Sequence, residues 1–343
     1  MPGRLNIPPD KQGPWIAALV VASVVSVGWL LTRWPGDHHW LTTILTYSPQ
    51  AAWLLPPIGA LAWAAAVRCW PAAALDTAVL VFALLGPGGV LLSHGAPPAE
   101  VDIHIATQNL FSLIEPADRF ALDQWRRCDI VCLQETASDG YAELLPEYEQ
   151  RTLDDLRTFV RGRIIDSAVV IPQTHRLPGA LACEVDIKGH RLIVLNVHLD
   201  MAQPEMDFAY VRRLWPDYLR HTLRVREMQF DAWARWVDAQ TLPVIVAGDF
   251  NTPPASRFYR LMRSRLTDCF AAVGAGGGYT WVPHGIPTFR IDYIWAGAEL
   301  RPIECRVGHP GPSDHRLLVA TLRLESPSAR DVRTGSRHPD VTH

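Results

Sequence analysis

The residues best suited to chemistry in this chain are acids, amides and histidines that follow short apolar segments. The clearest example is Asp249 with Asn251, which come after the apolar run 244–247 and the glycine Gly248. A short β-branched run that ends at turn residues is typical of a buried strand, and a glycine lets the chain turn sharply there. If the extended conformation continues, the two side chains point the same way. The pattern predicts a carboxylate and a carboxamide at the edge of a sheet, where binding and catalytic groups concentrate.

Further polar residues occupy comparable places along the chain. Most of them end or interrupt an apolar, strand-like run, and each has an ordinary structural explanation when it is taken alone. In chain order they are Asn109 after Gln108, Glu135 after Gln134, His198 after Asn196-Val197, Asp292 within Ile-Asp-Tyr-Ile, and the pair Asp314-His315. The ordered set is more specific than any of its members.

These motifs, in this order together with Gly-Asp-Phe-Asn at 248–251, resemble the endonuclease/exonuclease/phosphatase superfamily, the fold shared by DNase I-like nucleases, sphingomyelinases and inositol-phosphate phosphatases. The resemblance covers roughly residues 101–324. It implies a DNase I-like, four-layered α/β sandwich. The mixture of strand-like and helix-like segments along the chain favours the same layered α/β class.

The resemblance also implies a metal-dependent hydrolase of phosphate esters. Such a reaction needs a hard cation and stabilisation of charge on the phosphoryl oxygens. Glu135 is the implied principal metal ligand, although a solvated surface glutamate is the ordinary alternative. Asn109 would assist through its carbonyl oxygen, and Asp314 is either a second ligand or a strand-end cap. Mg²⁺ is the expected ion because it prefers oxygen ligands, and Mn²⁺ is the alternative.

Five residues are expected to be catalytic. The resemblance implies that Asp249 orients or deprotonates the attacking water and that Asn251 holds a phosphoryl oxygen. Asp292 is expected to pair with His315, which favours the imidazolium that donates to the phosphoryl group. His198 is expected to protonate the leaving oxygen or to hold a nonbridging one; a buried, hydrogen-bonded core histidine is the alternative.

The first 93 residues are predicted to form a membrane region. Three uncharged apolar stretches, at 15–31, 40–67 and 77–92, come close to or exceed the ~20 helical residues that cross a bilayer core. We therefore predict three transmembrane helices before the sandwich. A cleaved signal peptide is the alternative for the first stretch.

The rest of the chain is predicted to comprise a linker at 94–100, a catalytic domain at 101–325 and a disordered tail at 326–343. The positive residues flanking the apolar stretches are Arg4, Lys11 and Arg68 on one side and Arg33 on the other. By the positive-inside tendency, we expect an integral plasma (inner) membrane protein with an extracytoplasmic catalytic domain.

The charge of the chain narrows the choice of substrate. A net charge of −3 and a pI near 6.5 argue against a protein that holds polyanions by bulk electrostatics. The expected partners are the membrane and a phosphate ester in a lipid, a nucleic acid or an inositol phosphate, with phosphodiester cleavage as the leading activity. A phosphomonoesterase and a non-catalytic module that binds phosphorylated ligands are the alternatives. The sequence indicates no protein partner.

Two segments are candidates for substrate selection. One is the arginine cluster, defined as Arg212, Arg213, Arg220, Arg224 and Arg226. The other is the segment Tyr279-Thr280-Trp281, which resembles the Thr-Trp turn of other superfamily members. The arginines could meet phosphates or form a solvated helix face. The indole could stack on a base or headgroup, or be packing.

Overall fold

The computed structural model describes residues 8–91, 102–111, 119–136, 141–171, 179–200, 216–309 and 311–325. The predicted linker and the predicted tail lie outside these residues. Within them, a helical region up to residue 91 precedes a mixed α/β part. Helices and strands are numbered in chain order.

Apolar helices make up the helical region. They are α1 (Pro9–Arg33), α2 (Trp40–Thr46), α3 (Leu55–Ala66) and α4 (Trp70–Leu85), with 3₁₀ helices at Gly36–His38 and Gln50–Leu54. Small side chains such as Ala18, Ala64 and Ala72 are buried together in one cluster. Small residues allow helices to approach closely, so α1, α3 and α4 pack against one another.

Among the described helices, one is long and apolar enough to span a membrane, in place of the three that we predicted. α1 has 25 residues, or roughly 37 Å at 1.5 Å per residue. The second predicted span is divided near Pro49, which lacks the N–H that would continue the helix, and its longest piece, α3, has 12 residues. The third becomes α4, whose 16 residues reach only about 24 Å, short of a core of about 30 Å. The second and third predicted spans are therefore wrong, and a signal sequence remains the alternative for α1.

Two six-stranded sheets form the centre of the α/β part. The strands are β1 (Asp102–Asn109), β2 (Ile130–Gln134), β3 (Glu149–Leu153), β4 (Leu156–Val160), β5 (Arg163–Ile171), β6 (Gly179–Ile187), β7 (His190–His198), β8 (Val244–Asp249), β9 (Thr267–Asp268), β10 (Asp292–Ala296), β11 (Leu300–Val307) and β12 (Leu318–Leu324). The first sheet has the order β11-β12-β1-β2-β4-β3 and the second the order β5-β6-β7-β8-β10-β9.

The main hydrophobic core lies between the two sheets. Ile105 and Leu156 of the first sheet are buried in one cluster with Val194 and Ile245 of the second. These side chains belong to strands that are buried along most of their length. The facing sheets therefore form the two inner layers of the fold.

Helices cover the outer faces of the sheets. They are α5 (Arg119–Trp125) and α6 (Tyr141–Leu144) on the first sheet, and α7 (Pro216–Asp238) and α8 (Arg257–Arg263) on the second. The short helix α9 (Cys269–Val273) instead contributes Cys269 and Phe270 to the core between the sheets. Trp125 packs with Val131 of the first sheet, and Trp233 and Met262 pack with Val246 of the second. The order helix, sheet, sheet, helix agrees with the predicted four-layered α/β sandwich.

A buried aspartate joins the helical region to the α/β part. Asp37 follows α1, and its carboxylate accepts hydrogen bonds from the Ser256 hydroxyl at 2.5 Å and from the Arg257 N–H at 2.7 Å. Ser256 is also the N-cap of α8, because its oxygen accepts the N–H of Phe258 at 3.1 Å. Asp37 therefore satisfies donors at the start of a helix in the other region.

Candidate active site

The register of the second sheet brings three predicted site residues to one edge. β7 and β8 are parallel, with His198 opposite Asp249. β10 runs antiparallel to β8, with Asp292 also opposite Asp249. Strand pairing alone therefore places these two acids and the histidine side by side.

The first sheet contributes Asn109 and Glu135 to the same place. β1 and β2 are parallel, with Asn109 opposite Gln134, so that Glu135 follows at the level where β1 ends. Glu135 has a left-handed backbone, with a φ of 51°, which is uncommon for a residue other than glycine. Its side-chain Oε1 accepts a hydrogen bond from Asn109 Nδ2 at 2.8 Å.

Buried amides connect the two sheets beside this site. Gln134 Nε2 donates to Asn196 Oδ1 at 2.7 Å and to the Thr107 hydroxyl at 3.1 Å. Asn196 Nδ2 in turn lies 3.2 Å from the carbonyl oxygen of Leu133. Buried amides of this kind need partners, and these partners fix the strand ends that carry Glu135 and His198.

Asp249 is at the centre of the cluster and is buried. Its Oδ2 accepts a hydrogen bond from Asn109 Nδ2 at 3.1 Å and lies 3.8 Å from His315 Nε2 and 3.9 Å from His198 Nε2. Burial and the charge of Asp292 raise the pKa of Asp249 to about 6, against the opposing effect of the two histidines. A carboxylate whose pKa is raised towards neutrality is a stronger base than an ordinary aspartate, which suits it to accept a proton.

The chain turns immediately after Asp249. Asn251 has a left-handed backbone with a φ of 48°, and its N–H donates to Asp249 Oδ1 at 2.8 Å. The extended conformation assumed from the sequence therefore does not continue, because the aspartate forms an Asx turn. Asn251 Nδ2 donates to the carbonyl oxygen of Leu199 at 2.9 Å, which holds the side chain beside the site.

His315 and Asp292 form the predicted pair. The ring Nδ1 lies 2.9 Å from Oδ2 and 3.1 Å from Oδ1 of Asp292. Burial alone would lower the pKa of His315, but the carboxylates of Asp292 and Asp249 outweigh it and raise the pKa to about 10. The ring is therefore an imidazolium at neutral pH, with its Nε2 on the side of Asp249.

His198 has an aspartate neighbour that the motifs did not reveal. Its Nε2 lies 3.6 Å from Glu135 Oε1, and its Nδ1 lies 3.6 Å from Oδ2 of Asp155, in the turn between β3 and β4. Burial opposes protonation, but Asp155, Asp249 and Glu135 together raise the pKa of His198. The sequence signal for Asp155 is that it is one of two adjacent aspartates between short strands.

Trp281 is engaged by protein groups. Its ring stacks on Phe289 with a centroid distance of 5.7 Å, and its Nε1 donates to Asp314 Oδ2 at 2.8 Å. One face of the indole is thus covered. The other carboxylate oxygen of Asp314 is buried and has no hydrogen-bond partner among the described residues.

The arginines of the arginine cluster do not lie together on one surface. Arg226 is fully buried, and its guanidinium donates to the backbone oxygens of Asp200 and Phe250 and to the Thr252 hydroxyl. It therefore stabilises the loop that follows Asp249 instead of meeting substrate. Arg220 and Arg224 are exposed on α7, and the other two arginines lie outside the described residues.

One group of acids and histidines in the described chain has three ligand atoms within 4.8 Å of one another: Asp249, Asp292 and His315. This group suits Mg²⁺ poorly, because the ring Nδ1 is bonded to Asp292 and an imidazolium has no free lone pair. Glu135 suits it better. Its side chain is 28% exposed, and its Oε2 makes no hydrogen bond with the described residues. Oxygen ligands with open positions for water are what Mg²⁺ requires.

The side-chain amide of Asn109 makes hydrogen bonds through both its oxygen and its nitrogen. Its Oδ1 accepts the N–H of Phe111 at 2.9 Å, and its Nδ2 faces both Glu135 and Asp249. In this orientation the amide nitrogen positions two carboxylates, and the role of the oxygen as a metal ligand stays a prediction.

Residues 104–315 match the model of the Endonuclease/Exonuclease/phosphatase family. The chain belongs to this family. Membership of the Endonuclease/Exonuclease/phosphatase family supports a phosphoester hydrolase and agrees with the two-sheet fold. No curated protein matches the chain.

Solved structures similar to this member of the Endonuclease/Exonuclease/phosphatase family come from bacteria and from human. A family protein from Bacteroides vulgatus is 19% identical, with a TM-score of 0.48 over 66% of this chain and 100% of the other. The catalytic domain of human Nocturnin with bound sulfate is 18% identical, with a TM-score of 0.46 over 66% and 96%. The 3′ phosphatase NExo from Neisseria, bound to a product DNA hairpin, is 16% identical, with a TM-score of 0.47 over 65% and 100%.

Proposed function

We propose that the protein is a membrane-anchored, divalent-metal-dependent phosphoesterase that hydrolyses a phosphodiester in a lipid or a nucleic acid. The observation that carries this proposal is the convergence of Asn109, His198 and His315 on one oxygen of Asp249. A buried carboxylate surrounded by donors is suited to take a proton from water while the donors stabilise negative charge. Family membership supports the same class of reaction.

The proton transfers follow from the positions of the side chains. Asp249 accepts a proton from the attacking water, whose oxygen forms the new bond to phosphorus. The imidazolium of His315 donates to a nonbridging oxygen, and an N–H of Asn251 steadies another. His198 donates a proton to the ester oxygen as its bond to phosphorus breaks, and Asp155, 3.6 Å from Nδ1 of this ring, favours the charged form of His198. Asp292 keeps His315 charged and oriented.

The metal site of the proposed enzyme is Glu135, with Asp314 as a second candidate ligand. Mg²⁺, or Mn²⁺ as the alternative, would neutralise charge on the phosphoryl oxygens and orient the ester. Asn109 contributes by fixing Glu135 relative to Asp249 at 2.8 and 3.1 Å. The buried free oxygen of Asp314 favours its inclusion.

α1 is the proposed membrane anchor. It is 25 residues long, and large apolar side chains such as Val20, Val24, Val27 and Leu30 are exposed along it. Exposed apolar surface of this extent on one helix is suited to lipid. We propose that the catalytic domain lies on the outer side of the plasma membrane, as the flanking positive charges indicate.

The test is Mg²⁺-dependent hydrolysis by the full chain in detergent. The substrates are bis(p-nitrophenyl) phosphate, p-nitrophenyl phosphate, single- and double-stranded DNA, sphingomyelin and inositol phosphates. We expect diester cleavage that Asp249→Asn reduces by at least about 10²-fold, the range of a general base, and that Asp231→Asn, an exposed aspartate of α7, leaves unchanged.

Other outcomes of this experiment would indicate a different function. Cleavage of monoesters alone would make the protein a phosphomonoesterase. Binding of inositol phosphates without turnover of any substrate would indicate a non-catalytic module. Undiminished activity in Asp249→Asn would contradict the proposed role of this residue.

A further inference from the structure

A cavity of about 200 Å³ lies between the helical region and the α/β part. This is several times the ~30 Å³ that one water occupies in the liquid. Its lining includes Trp29, Arg33 and Gln50 from the helical region and Arg263 and Arg290 from the α/β part. The cavity is separate from the site around Asp249, and the proposed chemistry does not use it.

Two arginines at this cavity carry charge that no nearby acid neutralises. Arg33 is the last residue of α1, and Arg263 is the last residue of α8; both are exposed. Neither forms an ion pair within the described part of the chain. Arg290, by contrast, is bonded to Asp268 at 2.5 Å. The guanidinium of Arg33 lies over the ring of Trp29, 5.4 Å from its centroid, a contact that does not neutralise its charge. Arginine binds phosphate groups well, so two guanidinium groups that form no ion pair with the described residues favour an anion here.

Two further polar groups at the cavity lack partners among the residues that the structure describes. Gln50 is 7% exposed and its Oε1 has no donor, and the indole N–H of Trp29 has no acceptor. Buried polar groups normally find partners. A ligand that satisfies both must offer an acceptor, such as a phosphate or ester oxygen, and a donor, such as a headgroup hydroxyl.

The position of the cavity favours a lipid over a soluble phosphate. Leu85, the last residue of α4, and Leu91 also line it. The cavity lies at the end of α1, which among the described helices is the one long and apolar enough to span a membrane. Trp34 follows α1 and is 87% exposed. Exposed tryptophan next to arginine at the end of an apolar helix is typical of the membrane interface, and basic pockets at that level suit headgroups.

We propose that this cavity binds the headgroup of an anionic phospholipid. The phosphate pairs with Arg33 and Arg263, a headgroup hydroxyl donates to Gln50, and the acyl chains lie along the exposed apolar side of α1. The site rests on the membrane-anchoring part of the proposed function and is independent of hydrolysis. Its role is to bind lipid where the anchor meets the catalytic domain.

The experiment measures lipid retained by the full chain. The protein is purified in detergent, given phosphatidylglycerol or phosphatidylcholine, and examined by native mass spectrometry. The test variant is Arg33→Gln with Arg263→Gln. The control is Arg163→Gln with Arg235→Gln, which removes two exposed arginines that do not line the cavity. Each variant is first checked for its thermal unfolding midpoint.

We expect the wild type to retain phosphatidylglycerol over phosphatidylcholine, and the test variant to lose about tenfold or more of that affinity. The control should match the wild type. Equal retention of both lipids by the wild type would overturn the proposal even if the test variant does not fold. Displacement of phosphatidylglycerol by millimolar inorganic phosphate would overturn the lipid assignment in favour of a free anion. Because no readout depends on turnover, an inactive enzyme leaves this result interpretable.

Discussion

At the scale of single residues, the charge on His315 links the site to the stability of the fold. Its pKa is raised from 6.5 to about 10 by Asp292 and Asp249 despite burial. A group whose pKa is higher in the folded state stabilises the protein fully below its unfolded pKa. That stabilisation is lost as the pH rises through the folded pKa. The relevant window is therefore pH 6.5 to 10.

We expect the metal-free protein to lose on the order of 1 kcal/mol of unfolding free energy per pH unit across this window. Asp292→Asn removes the closest carboxylate and should flatten the dependence. The measurement is urea unfolding in EDTA at several pH values, with Asp231→Asn as a control that keeps the wild-type slope. Parallel curves for the wild type and Asp292→Asn would contradict the proposed coupling.

The residues that the sequence could predict are those whose positions depend on a strand end. Asp249, Asp292 and His198 each follow or begin an apolar run, so strand pairing suffices to bring them together. Asp155 could not be predicted, because it reaches His198 through the packing of a hairpin of the first sheet against the second. The burial of Arg226 also depends on the loop that it stabilises, which the local sequence does not specify.

At the scale of the elements, the closeness of β7 and β8 depends on a glycine. Gly248 has a φ of 143°, and a Cβ there would lie 2.0 Å from the carbonyl oxygen of Val197. Gly189 also has a positive φ, of 81°, but a Cβ there would meet nothing within 4 Å. Alanine variants at these two positions therefore distinguish the cost of a positive φ from the cost of a steric clash.

We expect Gly189→Ala to cost about 1 kcal/mol of unfolding free energy, because alanine disfavours positive φ. Gly248→Ala should cost several times more, since β7 and β8 must also move apart. Thermal unfolding of both variants measures the difference. Equal losses would show that β8 accommodates a side chain and that contact with Val197 is not limiting.

From the hydrogen bonds of the buried Asp37 carboxylate, we predict that this residue holds the helical region against the α/β part. Asp37→Asn keeps the volume but weakens the acceptor for Ser256 and the Arg257 N–H. We expect a loss of about 1–2 kcal/mol, the range for a helix cap. Limited proteolysis after residue 91 should become faster, because the two regions would separate more readily. Asp10→Asn, an exposed acid in the first turn of α1, is the control, and equal digestion of both variants would contradict this role.

A helix or strand could be predicted from the sequence where its own residues determine its limits. The apolar run 244–247, which predicts a buried strand, lies within β8. The predicted membrane spans at 40–67 and 77–92 failed because hydropathy does not report where a helix is interrupted. Between residues 40 and 67, Pro49 separates α2 from the 3₁₀ helix Gln50–Leu54 and α3, so one apolar stretch forms three short helices.

At the scale of the whole molecule, the exposed apolar side of α1 predicts that the protein partitions into membranes. Two arginines in place of Val24 and Val27, which are exposed near the middle of α1, would cost about 5–7 kcal/mol in a bilayer. We expect the wild type to stay with membranes after extraction at alkaline pH and Val24→Arg with Val27→Arg to be released. The control places the same charges on the α/β part, as Ile165→Arg with Val169→Arg, at exposed positions of β5.

The control should stay with membranes as the wild type does, because its charges lie outside the anchor. Release of the wild type by alkaline extraction would contradict anchoring by α1. The intact mass of the purified chain separates the two interpretations of this helix. A chain that retains residues 1–33 has a membrane anchor, whereas loss of these residues on export would identify a signal peptide, and the catalytic domain would then act free of the membrane.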